Sequence, residues 1–208
     1  MKLLAALLIA PALFAADGPS VTYSRSFPGS KPAYFEISVD KNGRATYKEA
    51  VDDDNPLVFQ LKPDESGAIF GLAEKLGYFS RPLESNLKVA KTGVKTFRYT
   101  DGAKKAEVQF NYSADTDAQA LQDWFERIAE TEQRYIELER TVKYDKLGVN
   151  DALLRLEITM DHNRLVAPEQ FLPLLDRVVK NESYLHIARE RAAKLAESIR
   201  TPAAALQQ

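Results

Sequence analysis

The chain contains no cysteine, only two histidines, and a single tryptophan among its 208 residues. Without cysteine there is no disulfide, no thiolate nucleophile and no sulfur ligand for zinc. A lipid-anchored bacterial precursor, which needs a cysteine just after its leader, is also excluded. The histidines, His162 and His186, lie 24 residues apart on different expected helices, which is no recognisable metal-ligand spacing. No Gly-x-Ser-x-Gly elbow occurs, and "GVKT" at 93–96 lacks both the Gly-Lys-Thr order and the glycine-rich lead of a phosphate loop. An excess of charge is missing too. The net charge of −2 supplies no field to gather nucleic acid.

One apolar run does occur, at the start: "MKLLAALLIAPALFAADGPS". Lys2 precedes a greasy stretch from Leu3 to Phe14, followed by small residues and the polar Asp17-Gly18-Pro19. That order is the order of a secretory signal. The run is shorter than the roughly 20 residues a spanning helix needs, and no later segment approaches that length. Residues 1–16 are therefore expected to be a signal peptide. Ala15 and Ala16 suit cleavage by core length, while Ala10-Pro11-Ala12 offers the stricter small-x-small match. The expected location is periplasmic or extracellular, with no span in the mature chain. About 190 residues then remain, enough to bury roughly 70% of the unfolded chain's surface without cross-links.

Residues 20–113 alternate with a period of two. In "PAYFEISVD", Ala33, Phe35, Ile37 and Val39 share one face, and Ala45 and Tyr47 continue it beyond Asn42-Gly43. Val21, Tyr23 and Arg25 alternate before them, and Leu57, Phe59 and Leu61 after. A second hairpin sets Phe97 and Tyr99 against Ala106, Val108 and Phe110 across Asp101-Gly102. Between the hairpins, Ile69, Phe70, Leu72, Ala73 and Leu76 have helical spacing, with Asp64 as the expected cap and Gly77 as the stop.

From Asp115 the period becomes about 3.6. Thr116 and Gln119 suggest a capping box, and Leu121, Trp124 or Phe125, Ile128, Tyr135, Leu138 and Val142 form one stripe. Residues 151–162 fit a strand or a helix; Asn150 as a cap favours helix. Pro168 opens a further helix, and Leu185, Ala188, Ala192, Leu195 and Ile199 mark a last one. The expected body is α+β: a mainly antiparallel sheet of about six strands with one packed helix over 20–113. A helical section over 114–200 follows, and 201–208 is expected to be a disordered tail.

Short motifs add a resemblance. "FPGSKPAY" carries Gly29, Pro32 and Tyr34, "KNGRATY" carries Gly43 and Tyr47, and "KLGYF" carries the aromatic pair Tyr78-Phe79. With the hairpin "KTFRYTDGAKKAEVQF", they resemble an uncharacterised family of exported bacterial domains that opens with Cys-x-Gly-x-Cys-Pro-x-Tyr. The resemblance covers roughly 20–130 and implies fold and export. It implies no activity. Phe27 and Lys31 stand where that family has its cysteines.

Three groups of residues invite a functional reading. Lys88, Lys91, Lys95, Arg98, Lys104 and Lys105 surround one acid, Asp101, and suggest a patch for an anionic ligand or an envelope protein. Because Lys95 and Arg98 point to opposite faces of a strand, the charge divides, and a solvated edge is the plainer reading. Glu157, Asp161 and His162 are the residues a carboxylate-dependent hydrolase would use, against a plain histidine at a helix end. "DDDNP" at 52–56 fails as a calcium loop, because Leu57 falls where glycine is needed and Pro63 where glutamate is needed. The expectation is a non-enzymatic exported domain that binds or supports, without a cofactor. Self-assembly through the C-terminal helices is the other alternative.

Overall fold

The alternating segments of the first half form one six-stranded, wholly antiparallel sheet in a computed structural model that describes residues 18–201. The expected signal segment and all but the first residue of the expected tail lie outside that range. The strands are β1 (Ser20–Ser26), β2 (Tyr34–Asp40), β3 (Arg44–Lys48), β4 (Leu57–Gln60), β5 (Val94–Asp101) and β6 (Lys104–Phe110). Their order is β4-β3-β2-β1-β5-β6. The chain meanders outward from β1 to β4, then passes through helix α1 (Pro63–Lys75) to add β5 on the other side of β1.

Register places every second side chain in one layer. Tyr23 lies opposite Ile37 on one side and Phe97 on the other, Ile37 opposite Tyr47, and Ala45 opposite Phe59. All are buried. Fully burying one such large side chain stabilises by about 1.5–3 kcal/mol, so this layer dominates the sheet's share of stability. Slipping any strand by one residue would send its apolar set to water. Gly43 makes the β2–β3 corner at φ +82°, where a Cβ would sit 2.7 Å from the Leu61 carbonyl oxygen. The other face is polar, with Lys48–Glu36 at 3.2 Å and Arg98–Glu107 at 2.8 Å.

The helix starts differ from the expected ones. Pro63, not Asp64, opens α1, and the Glu65 carboxylate accepts the Lys62 N–H at 2.8 Å. Proline has no N–H to leave unpaired and a pre-set φ, so the first turn begins there. Helix α2 (Thr116–Tyr144) is capped by Asp115, whose carboxylate accepts the N–H groups of Asp117 and Ala118 at 2.9 and 3.2 Å. With both groups satisfied, Gln119 turns away and donates to the Ser113 carbonyl instead.

Helix α2 is 29 residues, about 44 Å at 1.5 Å per residue, and this length joins two cores. Leu121, Phe125 and Ile128 pack on the sheet with α1; Leu138 and Val142 pack with the three helices that follow. Those are α3 (Val149–Asp161), α4 (Leu172–Lys180) and α5 (His186–Arg200). Residues 151–161 are helical, with Leu153 and Leu156 buried while Leu154 and Ile158 stay exposed. The helix begins at Val149, ahead of Asn150, which instead meets Arg191. Pro168 opens a single 3-10 turn rather than α4 itself. Leu185 precedes α5 and is exposed; Tyr184 fills that role, buried, donating its hydroxyl to the Val142 carbonyl at 2.8 Å. Among the described residues, no helix is long and apolar enough to cross a membrane.

Candidate functional site at the turn end of the sheet

The antiparallel order brings the end of β1, the start of β2, the start of β5 and the end of β6 to one end of the sheet. Three connections meet there: the turn from Phe27 to Ala33, the exit of β6 at Asn111–Ser113, and the irregular segment 80–93. Asn111 ties that segment down. Its backbone N–H donates to Glu84 Oε2 at 2.6 Å, its side-chain oxygen accepts the Thr92 N–H at 2.9 Å, and its amide donates to the Ala90 carbonyl at 3.1 Å. The Asn111 N–H holds the Glu84 carboxyl below its usual range. Gly93, at φ +102°, crosses β1 so closely that a Cβ would lie 2.7 Å from the Ser26 carbonyl oxygen.

Between the pinned segment and the β1–β2 turn lies a groove of about 640 Å³. Its apolar walls are Phe27, Leu87, Val89 and Val94, which are 37%, 59%, 41% and 52% exposed. Lys91 and Asn111 supply polar edges. Four large apolar side chains exposed together is an arrangement that marks binding surfaces, whereas single ones do not.

The neighbouring space, under the sheet, is polar. Arg25 and Lys95 are directly opposite each other in the β1–β5 register and both take the inward parity that elsewhere is apolar. Lys95 is 5% exposed. Its Nζ donates to Thr92 Oγ1 at 2.9 Å and to the Asn111 carbonyl at 2.6 Å, and burial pushes its pKa down. Arg25 lies 4.9 Å from the Phe35 ring and pairs with Glu126 of α2 at 2.9 Å. Tyr23 donates its hydroxyl to the other oxygen of Glu126 at 2.8 Å; burial first, then Glu126, raises its pKa. Arg25, Lys95, Glu126 and Asp123 are among the walls of a cavity of about 380 Å³. Two cations and two carboxylates balance, so this pocket is not an anion trap.

The six basic residues singled out in the sequence are dispersed. Lys88 and Lys91 lie on the segment beside the groove, and Lys95 is buried under the sheet. Arg98 is on the outer face between Glu107 at 2.8 Å and Glu36 at 3.9 Å. Lys104 and Lys105 sit at the far end of the hairpin, Lys104 opposite Asp101. That is six residues from Lys95 along the strand, about 20 Å. Glu157 is engaged by Arg191 at 2.9 Å. Glu157 and Asp161 border a groove of about 470 Å³ between α3 and α5, and His162 is not among its walls. The 52–56 segment is a bend in which Asp53 accepts the Asn55 N–H at 2.9 Å. Among the described residues, no three His, Asp or Glu side chains are placed to hold a metal ion.

Sequence reasoning missed the groove and the roles of Arg25 and Glu126. For Arg25 and Lys95 a signal was present: charged residues on the apolar parity of adjoining strands, a local conflict of the kind found at functional sites. No protein-family model matches the chain, and no curated protein matches it.

Proposed function

We propose that the protein is an exported binding domain whose ligand, an apolar body ending in an anion, occupies the turn-end groove. The observation that carries this reading is the groove itself, in the size range of small-molecule sites and walled by four exposed apolar side chains. Charge selects the anionic end. Lys91 borders the groove and Lys88 lies on the same segment, whereas Glu84 is already engaged by the Asn111 N–H. Export is supported by the basic-apolar-small order of residues 1–16 and by the resemblance to exported domains.

Decanoate, decanol and decylamine, tested for displacement of an anionic apolar dye, separate the parts of this proposal. Decanoate is expected to displace the dye best, with Leu87→Asp abolishing the effect and Lys88→Glu with Lys91→Glu weakening it about tenfold. Equal potency of decanol and decanoate would remove the anionic end; no displacement by either would end the proposal. Self-assembly is a second reading, favoured by Leu154 and Ile158, exposed one turn apart on α3. A monomer in light scattering at millimolar concentration would dismiss it.

A further inference from the structure

At the opposite side of the sheet from the turn-end site's β6 border, β4 forms the other edge, and beneath it is a cavity of about 260 Å³. Leu57 and Phe59 of β4, Tyr135 of α2, and Ala167, Glu169 and Gln170 of the link into α4 are among its walls. The remaining principal wall is Glu132, in the middle of α2, which is 1% exposed. Its Oε1 accepts from the Gln170 amide at 2.9 Å, and its Oε2 has no hydrogen-bond partner. None of the residues lining the cavity is Lys or Arg. Lys62, on the neighbouring start of α1, is already held by Glu169 at 2.7 Å.

We propose that this cavity is a second binding site, for a small organic cation: a primary ammonium on a short apolar body. A buried carboxylate oxygen without a donor is costly, and the protein supplies none; a proton relieves that cost at low pH, and a donor entering from the cavity that Glu132 lines relieves it at higher pH. An ammonium supplies both the missing N–H and the missing charge. Leu57 and Phe59 accept the apolar body and Tyr135 is an aromatic neighbour at the wall, while Glu169, also at the wall, is already paired with Lys62, which leaves Glu132 as the carboxylate for the cation. A metal ion is a poorer match, since two carboxylates and an amide fall short of the six to eight oxygens calcium takes.

Occupancy should depend on pH. Burial raises the Glu132 pKa to about 7, with the Gln170 amide working against the shift. The titratable groups facing it are Glu169, Tyr135 and Tyr47 of β3, whose hydroxyl is committed to Glu49 at 2.8 Å. None brings a positive charge. Below pH 7 a proton occupies the carboxyl and competes with the cation; above it the cation binds without displacing a proton.

Calorimetry with butylammonium on the whole protein tests this. At pH 8 a saturable 1:1 heat is expected, absent for butanol and for tetramethylammonium, which has no N–H. Between pH 7 and 5 the apparent affinity should fall about tenfold per unit, with proton release visible as a dependence on buffer ionisation enthalpy. Glu132→Gln, checked for native circular dichroism, should lose at least tenfold, and Tyr135→Leu a smaller amount. Heat that survives unchanged in Glu132→Gln would overturn the proposal, as would no saturable heat with butylammonium, the result expected if only a water molecule occupies the cavity.

Discussion

Glu126 and Glu132 project inward from the same helix, six residues apart, into very different surroundings. Glu126 lies under the centre of the sheet, where Tyr23 and Arg25 satisfy both its oxygens. Glu132 lies under the β4 edge, where one oxygen meets a neutral amide and the other meets nothing. A carboxylate taken from water costs several kcal/mol unless a cation or several donors replace the lost hydration. Thus Glu126 has a partner for each oxygen in a packed interface, and Glu132 is driven toward its neutral form. Identical residue types on one helix therefore acquire different chemistry from the strand each happens to face.

The largest effect should come from cutting the satisfied pair. Glu126→Gln leaves Arg25 inward without its counter-charge, and urea unfolding should show a loss of about 3 kcal/mol. Replacing Arg25 and Glu126 together by Met and Leu should recover most of that loss, because both desolvation costs disappear. A double variant as unstable as the single one would mean that Glu126 contributes packing rather than charge.

Glu132 should behave oppositely. Its folded pKa is raised above the unfolded value of 4.5, so the native state holds a proton that the unfolded chain has released. Stability from this group is fully present below pH 4.5, declines as pH rises, and is gone above about 7. The decline amounts to roughly 3 kcal/mol by linkage. Glu132→Gln should flatten that slope and exceed the wild-type protein in stability at pH 8. Parallel pH profiles for the two proteins would contradict the unpaired environment.

Smaller changes sharpen the contrast between interior and turn end. Gly93→Ala, forced against Ser26 at positive φ, should cost about 1–2 kcal/mol and loosen the groove. Lys88→Glu with Lys91→Glu should change stability by no more than about 0.5 kcal/mol, because both side chains are exposed, while altering ligand binding.

The sheet was legible because a period of two persists through short strands and because Asn42-Gly43 and Asp101-Gly102 permit few corners. The helices followed from their stripes except over 151–161, where the alternation of Leu154, Leu156, Ile158 and Met160 suits a strand as well as a helix; burial of Leu153 and Leu156 with Leu154 and Ile158 exposed is the helical pattern. Helix starts were less legible. Asp64 and Thr116 are good caps, but a neighbouring proline and a neighbouring aspartate outcompeted them. The groove was hidden because Leu87 and Val89 belong to a segment without periodicity, and the wall they face, Phe27, is sixty residues away in the chain. Glu132 was hidden likewise: its one partner, Gln170, lies 38 residues downstream. Pattern reveals which face is covered; it does not reveal which long-range neighbour fails to arrive.

The proposal that ligand enters at the turn end is tested most directly by mapping decanoate on backbone amides by nuclear magnetic resonance. Saturable shifts confined to Phe27, Leu87 to Val89, Gly93, Val94 and Asn111 are the expected result. Shifts centred on α3 and α5, or none that saturate, would contradict it.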